Sequence, residues 1–590
     1  MDEHLPREEE TPSIAPNGGR AGSSARGPRQ SEGPVAPRTD IATLTLHWVT
    51  ALAFIVSLFT GIRIAADALV APVSKWLTPI LPQGEIWSWH ILSGLTLMFA
   101  ATAYVAYVIR SGLTQRNAVK KTRVLLMPAP PPMKWAAVNV ILHWFVYGLV
   151  VFMFVTGTML YLGRGGWWVY LHSTVAFVGL AYIFVHVVAH YMYGGWWQVF
   201  RIFKPARLVI TRAVRSKPVL AAVVIGIVAA AAIASLDLTT RDTLVIRKVA
   251  TAPQPGRLLD DPVWKNIAPV KIHTQQGVNL GGTGESLVEV RAVHDGSNVY
   301  FAFRWEDPSR SVRRLPLIKK EDGWHHIGTN PYIDDVSDFY EDKFAVIFSP
   351  VDGFGNAGIA HFGNKPIADK PGSRNGRGLH FTDGAMIDMW QWKPSRGGLL
   401  GRVDDQYIEP AREPTAAETS KVARYQGGYW GDPGNAYYVY NFAALKPEEY
   451  KGGPVEIKKL PKDLDALKKA MGKWDPNPDS SVDEGSAWWM FEKDTVPYSK
   501  EADAKIPVGT IIPGVLIIGD YSGDRADVKG SAHWQDGHWT LVTSRKLKTG
   551  NKYDQDFTPG RDLFLFVAVF DHTQTRHSRH QRGVRVVVQE

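Results

Sequence analysis

Residues 167–191, WWVYLHSTVAFVGLAYIFVHVVAHY, decide the fold of the N-terminal part of this chain. The stretch is long and apolar enough to predict a membrane-spanning helix. His172 and His186 lie fourteen residues apart within it. Fourteen helical residues turn through about 1400°, within roughly 40° of four full turns, so both imidazoles point to one side. Their axial separation is about 21 Å in a hydrocarbon core of about 30 Å. A histidine inside a membrane helix is costly, which makes both residues candidate functional groups.

The composition limits what these histidines can hold. The chain has 590 residues, a formal net charge of +9 and no cysteine. The length predicts more than one domain. The absence of cysteine excludes disulfides, cysteine-ligated iron–sulfur clusters and thioether-attached haem. Two inward-facing histidines near opposite leaflets are therefore what one helix needs to ligate two non-covalently bound haems.

Five segments are apolar enough to span a bilayer, at roughly 41–66, 86–110, 135–162, 167–193 and 218–236. Residues 1–40 are rich in Pro, Gly, Ser and charge, which predicts a disordered tail. The remainder of the chain is polar and turn-rich. We therefore expect a multidomain protein divided into a disordered tail (1–40), an all-α four-helix membrane domain (41–215), one extra transmembrane helix (216–240) and an all-β domain (250–590).

Positive charge is concentrated in two of the loops between these spans. They carry Arg110, Arg116, Lys120, Lys121, Arg123 and Lys134 in one loop, and Arg201, Lys204, Arg207, Arg212, Arg215 and Lys217 in the other. The positive-inside rule places both loops and the N-terminus in the cytoplasm. The predicted location is the bacterial inner membrane, with the C-terminal domain in the periplasm. Because the basic charge is explained by topology, we expect lipid rather than nucleic acid as its partner.

The membrane part contains an internal repeat. TLHWVTALAFIVSLFTGI and ILHWFVYGLVVFMFVTGT both place a His-Trp pair before a Thr-Gly pair, and His47 to Gly61 has the same spacing as His143 to Gly157. The following helices both begin with tryptophans and carry a histidine a few residues in. The repeated unit is thus a pair of helices.

The C-terminal part shows the alternation typical of strands. VEVRAVHDGSNVYFAFRWED predicts two strands around a turn, and HWTLVTSRKL, LFLFVAVFD and GVRVVVQE continue the pattern. Such short strands with turn signals predict a β-sandwich. The Lys- and Pro-rich segment 445–505 looks like a long surface insertion.

Depth in the membrane sorts the histidines into two layers. His90 and His172 lie near the periplasmic ends of their helices and form one predicted haem-ligand pair. In the cytoplasmic layer, His186 pairs most simply with His47, while His143 is an alternative to His47 because it repeats its environment. Two neutral imidazoles leave low-spin iron without an open position, which suits electron transfer. His190 is expected to be an interfacial histidine or a contact of a haem propionate.

Glycines and arginines add to this pattern. Gly61, Gly94, Gly157 and Gly179 would let a flat macrocycle approach the helices, although close helix packing explains them equally well. Arg63 and Arg164 lie near the predicted periplasmic surface, where they would pair with haem propionates or anchor the topology.

LTLHWVTALAFIVSLFTGIRI, the following WSWH and the histidine pair of 167–191 resemble the bacterial cytochrome b-561 family. This family includes the cytochrome b subunits of nickel–iron hydrogenase and formate dehydrogenase. The resemblance covers about residues 40–215. It implies a four-helix bundle, two b-type haems and a quinone site, with His47, His90, His172 and His186 at the ligand positions. The duplicated His143-Trp144 departs from the family pattern.

LDDPVWKNIAPVKIHT, YEDKFAVIFSP and DGAMIDMWQWKPSR resemble the haem-binding subunit of ethylbenzene dehydrogenase, with a β-sandwich like family-9 carbohydrate-binding modules. The resemblance covers about 255–590. It implies one b-type haem with an axial methionine and lysine, or a similar pair, and electron transfer to periplasmic molybdenum enzymes. The methionine candidates are Met386 and Met389. Other ligand candidates are His361, His380, His572, His577, Lys393 and Lys546.

These features predict a membrane-bound cytochrome that carries electrons between the quinone pool and a periplasmic redox protein, such as a molybdenum enzyme or a cytochrome c. Whether it is the quinol-oxidising subunit of an enzyme stays open at this point. Two alternatives remain. One is a membrane-anchored binding or sensing module, and the other is an oxidoreductase of superoxide or ferric iron in the membrane domain.

Overall fold

The structure is a computed structural model. It describes residues 39–66, 77, 80–82, 86–206, 212–282, 284–328, 338–352, 360–361, 379–382, 384–412, 428–443 and 452–590. Most of the expected disordered tail, residues 1–38, lies outside the described residues. Thr39 and Asp40 form a short strand, β1 (Thr39–Asp40), which pairs in parallel with β2 (Pro205–Ala206).

The membrane part is helical, as the sequence predicts. Its helices are α1 (Ile41–Ala66), α2 (Ile86–Arg110), α3 (Pro131–Tyr161), α4 (Trp167–Val199) and α5 (Arg212–Thr239). Within the described residues, five helices are long and apolar enough to cross a membrane. The five predicted spans are thereby confirmed, and the chain is a multi-pass membrane protein.

The helices pack according to the internal repeat. α1 packs along α2, and α3 packs along α4, so each copy of the repeat is a helical hairpin. The two hairpins meet where α1 contacts α4, with Gly179 of α4 facing the Phe54 ring of α1. α5 packs on the outer side of α2, where Gly226 lies against Phe99. The arrangement is the predicted four-helix bundle with one extra helix.

The C-terminal part is β-rich and contains two short helices, α6 (Leu464–Met471) and α7 (Lys500–Asp503). Its strands are β3 (Thr243–Lys248), β4 (Val270–Thr274), β5 (Ser286–His294), β6 (Asn298–Glu306), β7 (Leu317–Lys320), β8 (Gly323–His326), β9 (Lys343–Ser349), β10 (Ala360–His361), β11 (Leu379–His380), β12 (Ile387–Trp392), β13 (Asp404–Ile408), β14 (Tyr429–Gly431), β15 (Gly434–Asn435), β16 (Tyr438–Tyr440), β17 (Lys459–Pro461), β18 (Met490–Phe491), β19 (Thr495–Pro497), β20 (Ile511–Ile512), β21 (Val515–Ile517), β22 (Ser522–Gly523), β23 (Lys529–Gln535), β24 (His538–Lys546), β25 (Leu563–Phe570) and β26 (Val584–Val588).

Twelve of these strands form one curled sheet in the order β14-β13-β12-β9-β25-β26-β3-β5-β6-β24-β23, with β4 paired to β5. Strands far apart in this order face each other across the core. Phe301 of β6 contacts Phe348 of β9 and Trp390 of β12, at ring-centroid distances of 5.1 and 5.6 Å. Trp305 of β6 stacks on Phe344 of β9 at 4.5 Å. The sheet therefore folds over itself into two layers, which is the predicted β-sandwich.

The strand that joins the two layers is β3, which follows α5 directly. It pairs in parallel with β26 on one side and with β5 on the other. Arg582 adds a tie between the parts, because it hydrogen-bonds the Thr240 carbonyl at 2.8 Å and forms an ion pair with Asp237 at 3.1 Å. The last membrane helix thus ends inside the framework of the β domain.

The segment expected as a surface insertion has its own apolar core. Val455, Ile457 and Leu460 are buried together with Leu317 and Trp324 of the β7–β8 hairpin. The segment therefore packs a second, smaller core against the sandwich, in addition to its solvent-exposed residues. The lysines and prolines that suggested an insertion lie mainly on the exposed side of the segment, and its few apolar residues form the buried side.

We expect the aromatic contact between the layers to stabilise the sandwich. The Phe301 side chain is fully buried, so Phe301→Ala should lower the free energy of unfolding of the β domain by about 3–5 kcal/mol. Urea denaturation of the full chain in detergent, followed by tryptophan fluorescence, measures this loss. Tyr498→Ala is the control, because that ring is 40% exposed and its removal should change stability by less than about 0.5 kcal/mol. Equal losses in both variants would contradict the two-layer core.

Candidate functional site

Two histidines face each other inside the bundle at the end nearer the β domain. His90 lies in the second turn of α2, and His172 lies in the second turn of α4. Their ring centroids are 6.1 Å apart and their planes are perpendicular. The sequence predicts this pair, and the structure brings the two residues together from different helical hairpins.

Each of these rings is held by the helix that precedes it. The Nδ1 atom of His90 lies 3.1 Å from the Thr60 hydroxyl and 3.0 Å from the Ser57 carbonyl oxygen. The Nδ1 atom of His172 lies 2.8 Å from the Thr156 hydroxyl. Both threonine hydroxyls donate to carbonyl oxygens of their own helices, at 2.6 Å for Thr60 and 3.0 Å for Thr156. Each Nδ1–H therefore donates a hydrogen bond, and each Nε2 keeps the lone pair that a metal needs.

Glycines next to these threonines make room for the rings. A Cβ atom on Gly61 would lie 2.9 Å from Cε1 of His90, and one on Gly157 would lie 3.2 Å from Cε1 of His172. Gly94 has open space around it instead. The repeated Thr-Gly pair thus positions one imidazole in each hairpin, and its equal spacing from the His-Trp pair is the sequence signal for this role. The sequence analysis expected these glycines to let a macrocycle approach, whereas in the structure Gly61 and Gly157 make room for the histidine rings.

The His90–His172 pair lines a pocket. The pocket also contacts Gly61 and Gly157, and it reaches Gln581 of the β domain. Its other lining residues within the bundle are mainly apolar.

The ring spacing also fits a metal held between two imidazoles. Metal–nitrogen bonds of about 2 Å on both sides place two imidazole centroids roughly 6 Å apart, as for His90 and His172. The protonated Nδ1 atoms leave both Nε2 atoms free for such bonds. These two residues could therefore hold the iron of a b-type haem.

A second layer of histidines lies toward the other end of the bundle. The ring of His143 lies 5.7 Å from that of His186 and 6.1 Å from that of His190, and His186 and His190 are 4.6 Å apart. His47 lies near His143 and His186 in the same layer. The structure thus gathers all four histidines, including both expected partners of His186.

Nδ1 anchors are present in this layer as well. The Nδ1–H of His143 donates to the Asn139 carbonyl oxygen at 2.6 Å. Nδ1 of His186 lies 3.2 Å from the Tyr182 hydroxyl, which is one helical turn away. Unlike the Thr-Gly pairs, these partners belong to the same helices as their histidines. No repeated motif in the sequence signals them.

Several cationic side chains lie near the His90–His172 end. Arg63 is 2% exposed. From the β domain, Arg579 lies over the Trp87 ring at 5.8 Å and Arg582 lies over the Tyr161 ring at 5.5 Å. The sequence predicts Arg63 at this end of the bundle. No sequence pattern predicts Arg579 and Arg582 here, because they reach this place only when the β domain docks on the bundle.

The methionine candidates of the β domain occupy ordinary structural positions. Met389 is buried in an apolar cluster with Ile347, Ile408 and Phe566. Met386 is partly buried just before β12, and its carbonyl oxygen accepts a hydrogen bond from Gln555 at 2.8 Å. The surroundings of Met389 are those of a core side chain, and its role as a haem ligand stays a prediction.

Of the other described ligand candidates in the β domain, Lys393 and His572 already bind neighbouring carboxylates, and Lys546 lies at the surface. Lys393 is buried and forms an ion pair with Asp404. Burial lowers the pKa of Lys393, and the Asp404 carboxylate opposes that shift. His572 is buried, and its Nδ1 lies 2.5 Å from Asp571, while Lys546 is exposed. The side chains of His361 and His380 lie outside the described residues.

Comparison with known proteins follows the same division of the chain. The family profile described as prokaryotic cytochrome b561 matches residues 38–205. The profile described as ethylbenzene dehydrogenase matches residues 261–582, which is more than half of the chain. No curated protein matches the chain.

Two solved structures are similar to part of the chain. One is a family-9 carbohydrate-binding module from Caldicellulosiruptor kristjanssonii in complex with glucose, with 6% identity, a TM-score of 0.21, and coverage of 59% of this chain and 95% of that chain. The other is a putative carbohydrate-binding protein from Bacteroides uniformis, with 9% identity, a TM-score of 0.21, and coverage of 59% and 100%. Both TM-scores are too low to support a conclusion about fold or ligand.

The two profile matches confirm the predicted fusion. The cytochrome b561 match identifies the membrane part as a b-type cytochrome of electron transfer. The chain therefore belongs to the ethylbenzene dehydrogenase family, with a prokaryotic cytochrome b561 domain as its membrane part.

Proposed function

We propose that this protein carries electrons between the quinone pool and a periplasmic redox partner. The membrane domain would hold two b-type haems, one with His90 and His172 and one with His186 and either His47 or His143. Haem b, when bound, supplies reversible one-electron transfer. The observation that carries this proposal is the facing pair of imidazoles 6.1 Å apart, each with its Nδ1 held by hydrogen bonds.

The residues around His90 and His172 make this site suitable for electron transfer. Thr60 and Thr156 orient the rings and fix the proton on Nδ1, so both Nε2 atoms point a lone pair away from the anchoring helix. Two histidine ligands leave no open position for oxygen or another small molecule. This arrangement favours an electron carrier over an oxidase or reductase of superoxide.

The cytoplasmic layer would be served by His186 with one of two partners. His143 has its Nδ1 anchored at Asn139 and its ring 5.7 Å from that of His186. His47 matches the ligand position that the family resemblance implies. The quinone site would lie in the membrane domain, where the resemblance implies one.

The β domain docks at the His90–His172 end of the bundle. Arg582 contacts Asp237 and Tyr161, and Gln581 reaches the histidine pocket. Electron exchange with a soluble partner would therefore take place beside this domain. A molybdenum enzyme or a cytochrome c in the periplasm suits this role. A third haem in the β domain, with Met386 or Met389 as a ligand, rests on the family resemblance alone.

Replacement of single histidines tests the ligand assignments and the function together. We expect His172→Ala and His186→Ala each to remove one haem per chain, because each loses one axial ligand. Pyridine haemochrome assays on purified protein count the haems, and stopped-flow absorbance follows haem reduction by a quinol analogue, which should slow at least tenfold. His47→Ala and His143→Ala variants then show which residue completes the cytoplasmic-side site.

The control for this experiment is His273→Ala, since His273 is an exposed histidine of the β domain. It should retain every haem and the full rate of reduction. Full haem content in His172→Ala would refute the assignment of the His90–His172 pair. Normal haem content in all variants with no reaction toward quinols would refute the proposed function.

The glycine contacts provide a second test of the same pair. Gly61→Ala places a methyl group 2.9 Å from Cε1 of His90, which must displace the ring. We expect haem affinity at this site to fall by about 10–100-fold, as for other changes around a metal ligand. Haem titration of apoprotein measures the change. Gly148→Ala is the matched control, because Gly148 is exposed on α3 and nothing lies within 4 Å of a Cβ atom there, and a similar loss in that variant would contradict the proposed role of Gly61.

Orientation can be tested with introduced cysteines, because the chain has none of its own. Lys548→Cys in the β domain and Lys120→Cys in the loop between α2 and α3 both replace exposed lysines. In spheroplasts, a membrane-impermeant maleimide should label Lys548→Cys and should label Lys120→Cys only after lysis. The reverse pattern would show that the β domain lies in the cytoplasm.

A further inference from the structure

Four aspartates of the β domain meet between the two layers of the sandwich. Asp388 lies on β12, Asp405 on β13, Asp432 directly after β14 and Asp554 in the segment between β24 and β25. All four are less than 9% exposed, and Asp388 and Asp405 are fully buried. We call this set the aspartate cluster.

The sheet register explains why these residues converge. Asp388 and Trp390 are two residues apart on β12, so their side chains lie on the same face of the sheet. Asp405 of β13 is the cross-strand partner of Trp390, so its side chain lies on this face as well. The backbone N–H of Asp432 donates to the Asp405 carbonyl oxygen at 3.1 Å. Asp388, Asp405 and Asp554 each offer a carboxylate oxygen, and these oxygen atoms all lie within 4.8 Å of one another.

The charges in this cluster do not balance. Arg545 reaches it from the opposite layer and donates to Asp388 at 2.6 Å, while it lies 3.6 Å from Asp554. One guanidinium thus faces four carboxylates. Asp524 and Asp527 add further negative charge beside the cluster, and Lys546 interacts with Asp527. Because isolated buried carboxylates are costly, the excess negative charge requires protons or a cation.

Hydrogen bonding within the cluster is also incomplete. Oδ1 of Asp388 and Oδ2 of Asp405 are buried and accept no hydrogen bond from the described residues. By contrast, Oδ2 of Asp388 accepts from both Arg545 and the Gln555 N–H. Fully buried oxygens with unused lone pairs beside other carboxylates are what a metal ion requires of its ligands.

We propose that the aspartate cluster binds one calcium ion, which clamps the two layers of the sandwich. Ca²⁺ takes six to eight oxygen ligands and accepts irregular carboxylate cages. Mg²⁺ keeps several of its waters and is seldom held by an all-protein cage, so the buried cluster suits it less. This site is independent of the proposed electron-transfer function.

The test uses the full chain in detergent at pH 8, treated with EGTA and then supplied with 5 mM Ca²⁺ or Mg²⁺. Tryptophan fluorescence follows thermal unfolding, since Trp390 and Trp392 lie in the same strand as Asp388. We expect Ca²⁺ to raise the Tm of the β domain by about 5 °C or more, and Mg²⁺ to raise it less. Elemental analysis of protein dialysed against Ca²⁺ should find about one calcium more per chain than in Asp405→Asn.

Two variants and a control make the result decisive. Asp405→Asn should abolish the Ca²⁺-dependent rise in Tm. Asp432→Asn should raise the Ca²⁺ concentration needed for that rise about tenfold, and this second variant tests the site even if Asp405→Asn does not fold. Asp562→Asn is the control, because Asp562 is an exposed ion-pair partner of Arg585, and its Ca²⁺ response should be unchanged. A wild-type protein without bound calcium or a Ca²⁺-dependent shift would overturn the proposal. So would a higher Tm of Asp405→Asn in EGTA with no response of the wild type to calcium, which would show that protons alone compensate the charge.

Discussion

The hydrogen bond between a threonine on one helix and Nδ1 of a histidine on the next is the interaction on which the rest of the membrane site depends. An imidazole inside an apolar bundle needs a partner for each polar atom, because no water is present to supply one. Thr60 and Thr156 provide that partner at one nitrogen and leave the other facing the space between the hairpins. Gly61 and Gly157 remove the Cβ atoms that would push the rings away.

The duplicated helical hairpin explains why this device occurs twice. In each copy the first helix carries the Thr-Gly pair and the second helix carries the histidine near its start. Placing the two copies face to face brings His90 and His172 to a 6.1 Å ring separation. Among the described residues of the opposite layer, the Nδ1 partners are Asn139 and Tyr182, each on the same helix as its histidine, and three histidine rings crowd together there.

The β domain is joined to the bundle by more than a linker. β3 begins soon after α5 and pairs with strands of both sandwich layers, so the membrane helix and the sheet framework share one continuous element. Arg582 and Gln581 then approach the His90–His172 end from the β side. This docking places the β domain beside the His90–His172 pair.

The sequence by itself determined the five spans, the two histidine layers, the helix-pair repeat and the β character of the C-terminal part. These features arise from local periodicity and spacing, since a fourteen-residue interval on a helix fixes direction and rise without any distant contact. Only the tertiary structure decided what each Nδ1 atom bonds to, that Gly61 and Gly157 accommodate imidazoles, and that Met389 packs in an apolar cluster. The same holds for Asp388, Asp405, Asp432 and Asp554, which come from separate strands and segments and meet only when the sheet folds over itself. Such contacts depend on strand register and on how the layers pack, and no local pattern in the chain encodes either one.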